Sequence, residues 1–132
     1  MASSPLVEAE DPRLTRMAEI CAALPAVERQ QAGRHATFRV RRKTFAYYLD
    51  DHRGDEGIVG AVFKAHPGQN EALIAGDPAR FYLPAYVGPR GWAGLRLDTP
   101  EVDWDDVEHF LTEAYLLTAP KRLASQVEAP GR

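Results

Sequence analysis

The stretch Thr37-Phe38-Arg39-Val40-Arg41-Arg42-Lys43-Thr44-Phe45-Ala46-Tyr47 decides how this chain is read. Apolar Phe38 and Val40 alternate with polar Thr37, Arg39 and Arg41, which is the two-residue period of a strand with one buried face. A second run follows at once and ends at Asp50, so the two are expected to pair as an antiparallel hairpin. A two-residue turn at Arg42-Lys43 would set Val40 against Phe45 and Phe38 against Tyr47 on the inner side, with Arg39 and Arg41 toward water. Neither turn residue is the Gly or Asn that a tight hairpin favours, so a longer or bulged connection is the competing expectation.

Working outward, Asp11-Pro12 supplies an N-cap and a proline for a first helical turn, and Leu14, Met17, Cys21 and Leu24 form an apolar stripe that Pro25 ends. From Val27 the period becomes alternating. Downstream, Ile58 to Phe63 reads as a strand, Gln69 to Ala75 as a short helix closed by Gly76, and Phe81-Tyr82-Leu83 as extended chain. In Trp92 to Leu97, Ala93, Leu95 and Leu97 alternate with Trp92, Gly94 and Arg96. Asp103 caps a long final helix, with Trp104, Val107, Phe110 or Leu111, Ala114 and Leu117 or Thr118 on the buried side and Pro120 at its end. The expected order is α-β-β-β-β-α-β-β-α, an α+β fold with an antiparallel sheet and helices packed on one face. Residues 1–10 are expected to be a flexible terminus, 11–120 a single domain and 121–132 a flexible tail.

A chain of 132 residues is long enough to bury roughly two thirds of its unfolded surface around one core. Its 16 Lys plus Arg against 19 Asp plus Glu leave a formal charge of -3, so positive charge is a regional property and not one of bulk composition. Between Glu28 and Asp50 there is no acid but six bases: Arg29, Arg34, Arg39, Arg41, Arg42 and Lys43. Arg80 to Leu97 again lacks acids and carries Arg80, Arg90 and Arg96 among Phe81, Tyr82, Tyr86 and Trp92. Cations interleaved with aromatics are what phosphate and base contacts require. No apolar run approaches the ~20 residues that span a bilayer. Met1 to Asp11 lacks the layout of a secretion signal, and the single cysteine, Cys21, excludes an intramolecular disulfide. A cytoplasmic location is expected.

Catalytic constellations are scarce. Serine occurs only at Ser3, Ser4 and Ser125, which argues against a serine hydrolase, and His35, His52, His66 and His109 fall in different elements. There is no Walker sequence and no paired-cysteine spacing, so no enzyme activity, cofactor or metal ion is expected. Cys21 lies on the apolar stripe without a cationic activator nearby in sequence, and is expected to be a small buried hydrophobe. Asp51, His52 and Asp55 offer ligand-type atoms, but Arg53 stands where a calcium loop needs an oxygen ligand. The seven acids from Asp98 to Glu113 include several in a helical first turn, where the dipole favours them. A metal ridge there, using Asp105 and Glu108, is the competing reading; His109 and Glu113 are spaced i, i+4 but lack the second histidine of a zincin.

The order helix, hairpin with Val40-Arg41-Arg42-Lys43-Thr44-Phe45-Ala46, strand Val62-Phe63-Lys64, then Gly91-Trp92, Leu97-Asp98, Val102-Asp103-Trp104 and Ala114-Tyr115 through Ala119-Pro120-Lys121 resembles the MmcQ/YjbR family of small bacterial proteins. The likeness spans roughly Leu14 to Leu123. It implies a fold of the CyaY or frataxin type and DNA binding through two projecting hairpins in a double wing, in a group for which no enzymatic activity is established. Relatives often have glycine before the lysine of the first hairpin, where this chain has Arg41 and Arg42, and serine before the tyrosine of the last helix, where it has Ala114.

The resemblance carries over Lys43, Lys64, Trp92 and Lys121 as DNA-binding residues, and their own chemistry adds Arg39, Arg41, Arg42 and Arg90. The resulting expectation is a monomeric, non-catalytic domain that contacts double-stranded DNA phosphates without strong sequence preference. The alternative is a protein-interaction or small-ligand adaptor using the surface around Tyr82, Tyr86 and Trp92.

Overall fold

A computed structural model describes residues 10–51 and 57–128. Of the flexible terminus expected over residues 1–10, residues 1–9 lie outside the described residues, as do the proposed ligands His52 and Asp55 and residues 129–132. The chain forms α1 (Pro12–Ala22), β1 (Val27–Ala32), β2 (His35–Val40), β3 (Lys43–Asp51), β4 (Ile58–Phe63), α2 (Gln69–Gly76), β5 (Phe81–Tyr82), β6 (Ala93–Arg96), α3 (Trp104–Thr118) and α4 (Lys121–Glu128). The strands make one antiparallel sheet in the order β1-β2-β3-β4-β6-β5. This is the expected α+β class, with one more helix at its end.

Pairing partners point to the same side of a sheet, so the register sorts the side chains into two faces. Ala36, Phe38 and Val40 of β2, Ala46 and Tyr48 of β3, Val59, Ala61 and Phe63 of β4, and Ala93, Leu95 and Phe81 on β6 and β5 line the inner face. Against them pack Leu14, Met17 and Cys21 of α1 and Val107, Leu111, Ala114 and Tyr115 of α3. Ring contacts fix α3 on the sheet: Phe110 stacks on Phe63 at 5.1 Å, and Tyr115 meets Phe45 edge-on at 5.6 Å. The Tyr115 hydroxyl donates to the Pro25 carbonyl at 2.6 Å, joining the end of α3 to the chain leaving α1.

The hairpin differs from expectation by one residue. Its turn is Arg41-Arg42, with Val40 opposite Lys43, and both arginines have positive φ, +52° and +70°. Positive φ at both central positions is what a type I′ turn needs to match the strand twist. It is disfavoured for side chains other than glycine or asparagine, which is why the sequence did not mark it. The register then shifts between Phe38 and Arg39, so that Phe38 faces Ala46 and Arg39 faces Thr44. This β-bulge leaves Phe45 as the extra residue. Phe45 and Ala46 are both fully buried, whereas Tyr47, expected inside, turns to the opposite face beside Thr37.

The flexible tail expected from Lys121 is instead helical as far as Glu128, and α4 buries Leu123 in the core with Val127 packed against it. Cys21 is fully buried, and desolvation pushes its thiol up to about 12, in keeping with an inert hydrophobe.

Asp11 caps α1 and accepts hydrogen bonds from Arg13 N, Nε and Nη2 at 2.8, 2.9 and 2.7 Å. The Arg13 guanidinium holds its carboxyl at about 2, against an ordinary 3.8. A depressed folded pKa contributes stability that is present above the ordinary value and lost as pH falls toward 2. Asp11→Asn keeps a good cap and is expected to cost about 1–2 kcal/mol near neutrality, a range discounted for partial solvent exposure. Urea titrations should show that deficit shrinking from about pH 4 to pH 2; a deficit that stays constant with pH would remove the ionic explanation.

Candidate nucleic-acid interface

The residues proposed from sequence collect at one end of the sheet, the end carrying the hairpin turn. Arg41, Arg42 and Lys43 are exposed there. Arg39 faces Thr44 on β3 and Glu28 on β1, on the side of the sheet away from the helices. Lys64 N donates to the Phe45 carbonyl at 3.1 Å, which places Lys64 beside the hairpin. Trp92 precedes Ala93, the partner of Phe63, so it reaches the same end. Arg90 is exposed at the end of the 3₁₀ turn Gly88–Arg90. Lys121 is exposed and begins α4 just beyond the end of α3 that Tyr115 ties to Pro25 and Phe45. Arg122, not selected from sequence, is exposed next to it.

Among the described residues none of Arg39, Arg41, Arg42, Lys43, Lys64, Arg90 or Lys121 forms an ion pair. Of the other arginines in the two acid-free stretches, Arg34 also forms no ion pair among the described residues, whereas Arg29, Arg80 and Arg96 do. Arg80 Nε lies 2.7 Å from Asp77 and its Nη1 lies 3.0 Å from Asp106. Arg96 Nε lies 3.0 Å from Asp98, and Arg29 pairs with Glu10. Hydrogen bonds donated to these carboxylates raise Arg80 and Arg96 above their ordinary value, and Arg96 in turn lowers Asp98. A stretch free of acids in sequence is therefore not free of them in space. The second cationic segment is neutralised except at Arg90, while the hairpin remains uncompensated.

The other end of the sheet is acidic. Leu97 N donates to the Val59 carbonyl, which puts Asp98 near Asp50, the partner of Val59. Asp103 caps the start of α3 there by accepting from Asp105 N and Asp106 N at 3.1 and 3.2 Å. The hairpin end thus carries most of the cations left unpaired among the described residues, with Glu28 opposite Arg39, while the far end mixes its carboxylates with Arg34, Arg80 and Arg96.

The hairpin does not project as an isolated wing. β1 flanks it up to Val27, opposite Val40, and Lys64 flanks it from β4. The tip is the rim of a braced sheet end. Trp92 is only 9% exposed, with its ring 5.5 Å from that of Tyr47, so it supports the surface more than it presents itself. The α3 carboxylates line a cleft of about 440 Å³ between α3 and α4, formed by Asp105, Glu108, His109, Thr112, Glu113, Leu116 and Val127. Among the described residues no three His, Cys, Asp or Glu stand together as a metal site. No described helix is long and apolar enough to cross a membrane.

An antiparallel sheet with all helices on one face and a cationic hairpin at one end defines a small α+β class. Within it, this chain belongs to the YjbR family, whose family model matches residues 22–117. Among solved structures it is similar to the Deinococcus radiodurans protein DR2400, which carries the DUF419 domain. The two are 16% identical, with a TM-score of 0.66 over 92% of this chain and 94% of that one, a likeness of fold alone. No match is found among curated proteins.

Proposed function

We propose that this chain is a non-enzymatic, cytoplasmic nucleic-acid-binding domain that grips the phosphates of double-stranded DNA at its cationic sheet end, with little sequence preference. One observation supports the reading: Arg41 and Arg42 occupy turn positions that glycine or asparagine would fill without strain, and both are exposed with no ion pair among the described residues. A cost of about 1–2 kcal/mol per left-handed residue is hard to account for by stability alone. Unpaired guanidinium groups at such a position suit multivalent phosphate contact.

The exposed side chains of Leu83 and Tyr86, at 57% and 93%, favour a second reading, a protein-interaction surface on the loop before β6.

Anisotropy titrations of a labelled duplex at several salt concentrations test the first reading. Neutralising four to six phosphates predicts a slope of log K against log salt of roughly -4 to -5. The absence of salt-sensitive binding at micromolar protein would sink it. Arg41→Asn combined with Arg42→Gly is expected to raise stability by about 1–2 kcal/mol in urea unfolding while weakening duplex binding and lowering the slope by about two. Unchanged affinity in this double variant would take the hairpin out of the interface.

A further inference from the structure

We infer that the sheet face turned away from the helices is a stacking surface for unpaired bases, so that single-stranded nucleic acid is a preferred ligand, with Tyr47 as the stacking residue and Arg39 and Lys64 as its cationic partners. This rests on the reading above that the cationic end binds nucleic-acid phosphates. The register sets Thr37, Tyr47, Val62, Gly94 and Tyr82 in a row across β2, β3, β4, β6 and β5. Val62 is fully buried yet stands outside the main core cluster, because its neighbours on this side form a small apolar layer of their own.

That layer is aromatic. Tyr47 and Trp92 stand 5.5 Å apart at 41°, and Tyr82 lies so close over the sheet that a Cβ added at Gly60 or Gly94 would fall 2.3 or 2.5 Å from its atoms. The two glycines let the Tyr82 ring lie close against the sheet backbone, which keeps this aromatic layer low. Trp92 is nearly covered, whereas Tyr47 is half-buried.

Charge decides what kind of flat group fits. Arg39 lies on this face one row nearer the hairpin, and its Nε is buried with no hydrogen-bond acceptor among the described residues. Glu28 is directly opposite on β1 but forms no ion pair with it. A buried guanidinium N–H without an acceptor is a defect that a phosphate or base carbonyl oxygen would repair. Lys64 adds a second unpaired cation where the layer meets the hairpin. An occupant that is anionic along its backbone and carries exposed π faces is a single strand; a duplex hides those faces in its own stack.

The test compares a labelled oligo(dT) with a duplex of the same length by anisotropy. Wild-type protein should bind the single strand at least as tightly as the duplex. Tyr47→Leu, which retains apolar cover over Val62, should weaken oligo(dT) binding about tenfold or more and leave duplex binding within about twofold, a separation a folding defect would not produce. Arg39→Gln should also weaken oligo(dT) binding while leaving circular dichroism unchanged. Duplex binding without oligo(dT) binding, or equal oligo(dT) affinity for wild type and Tyr47→Leu, overturns the inference and leaves the duplex reading intact. Failure of both ligands to bind overturns both.

Discussion

Tyr115→Ala is expected to remove about 4 kcal/mol of stability. The ring is fully buried, meets Phe45 edge-on, and donates its hydroxyl proton to the Pro25 carbonyl. It therefore joins three parts of the chain: the last third of α3, the bulge of β3 and the exit from α1. Burial raises the phenol above its ordinary value, so it stays a neutral donor. Tyr115→Phe keeps the ring and loses only the hydrogen bond, leaving a carbonyl without its partner, for about 1–2 kcal/mol. Urea unfolding of both variants separates the contributions. If Phe costs as much as Ala, the packing argument fails and the hydroxyl alone accounts for the residue. Against a typical margin of about 5–15 kcal/mol for a whole domain, that is between roughly a quarter and most of the total.

Gly94→Ala comes next. Its new methyl would fall 2.5 Å from two ring carbons of Tyr82, well inside any contact that real side chains make. Tyr82 is anchored through β5, which pairs with β6 through Phe81–Leu95 and Tyr82–Gly94, so its ring can give way only by turning off the sheet and uncovering Gly60 as well. A cost of about 2–3 kcal/mol is expected. The cause is a single ring, so the cost should be relieved when the ring is removed: in a Tyr82→Ala background the same change should cost at least about 1 kcal/mol less. Strict additivity of the two substitutions would show that Gly94 is needed for its backbone and not for the space above it.

Much of the fold was legible because it rests on periodicity. The stripe Leu14, Met17, Cys21, the alternation of Ala93, Leu95 and Leu97, and the Asp103 cap each reflect a local rule, and each falls where the rule puts it. The hairpin register did not, because two arginines in left-handed conformation violate the preference from which turns are read, and because the bulge at Phe45 reverses the face of every residue after it. Tyr47 was consequently assigned to the core, although the adjacent pair Tyr47-Tyr48 ensures that one ring of the two leaves it. α4 was missed because its apolar signal amounts to Leu123 and Val127; a helix this short is held by docking on its neighbours more than by propensity.

The candidate site was legible in part for the same reason. The hairpin cations follow from the strand period, but the neutralisation of Arg80 depends on Asp106, 26 residues away, and no local pattern reports that distance. The burial of Trp92 likewise depends on a partner from another strand.

The lone sulfhydryl, sealed inside the fold with its proton held on, gives the molecule an internal alarm. Alkylating or oxidising reagents reach Cys21 only during the moments when α1 lifts from the sheet, so the pace of its modification counts those openings directly.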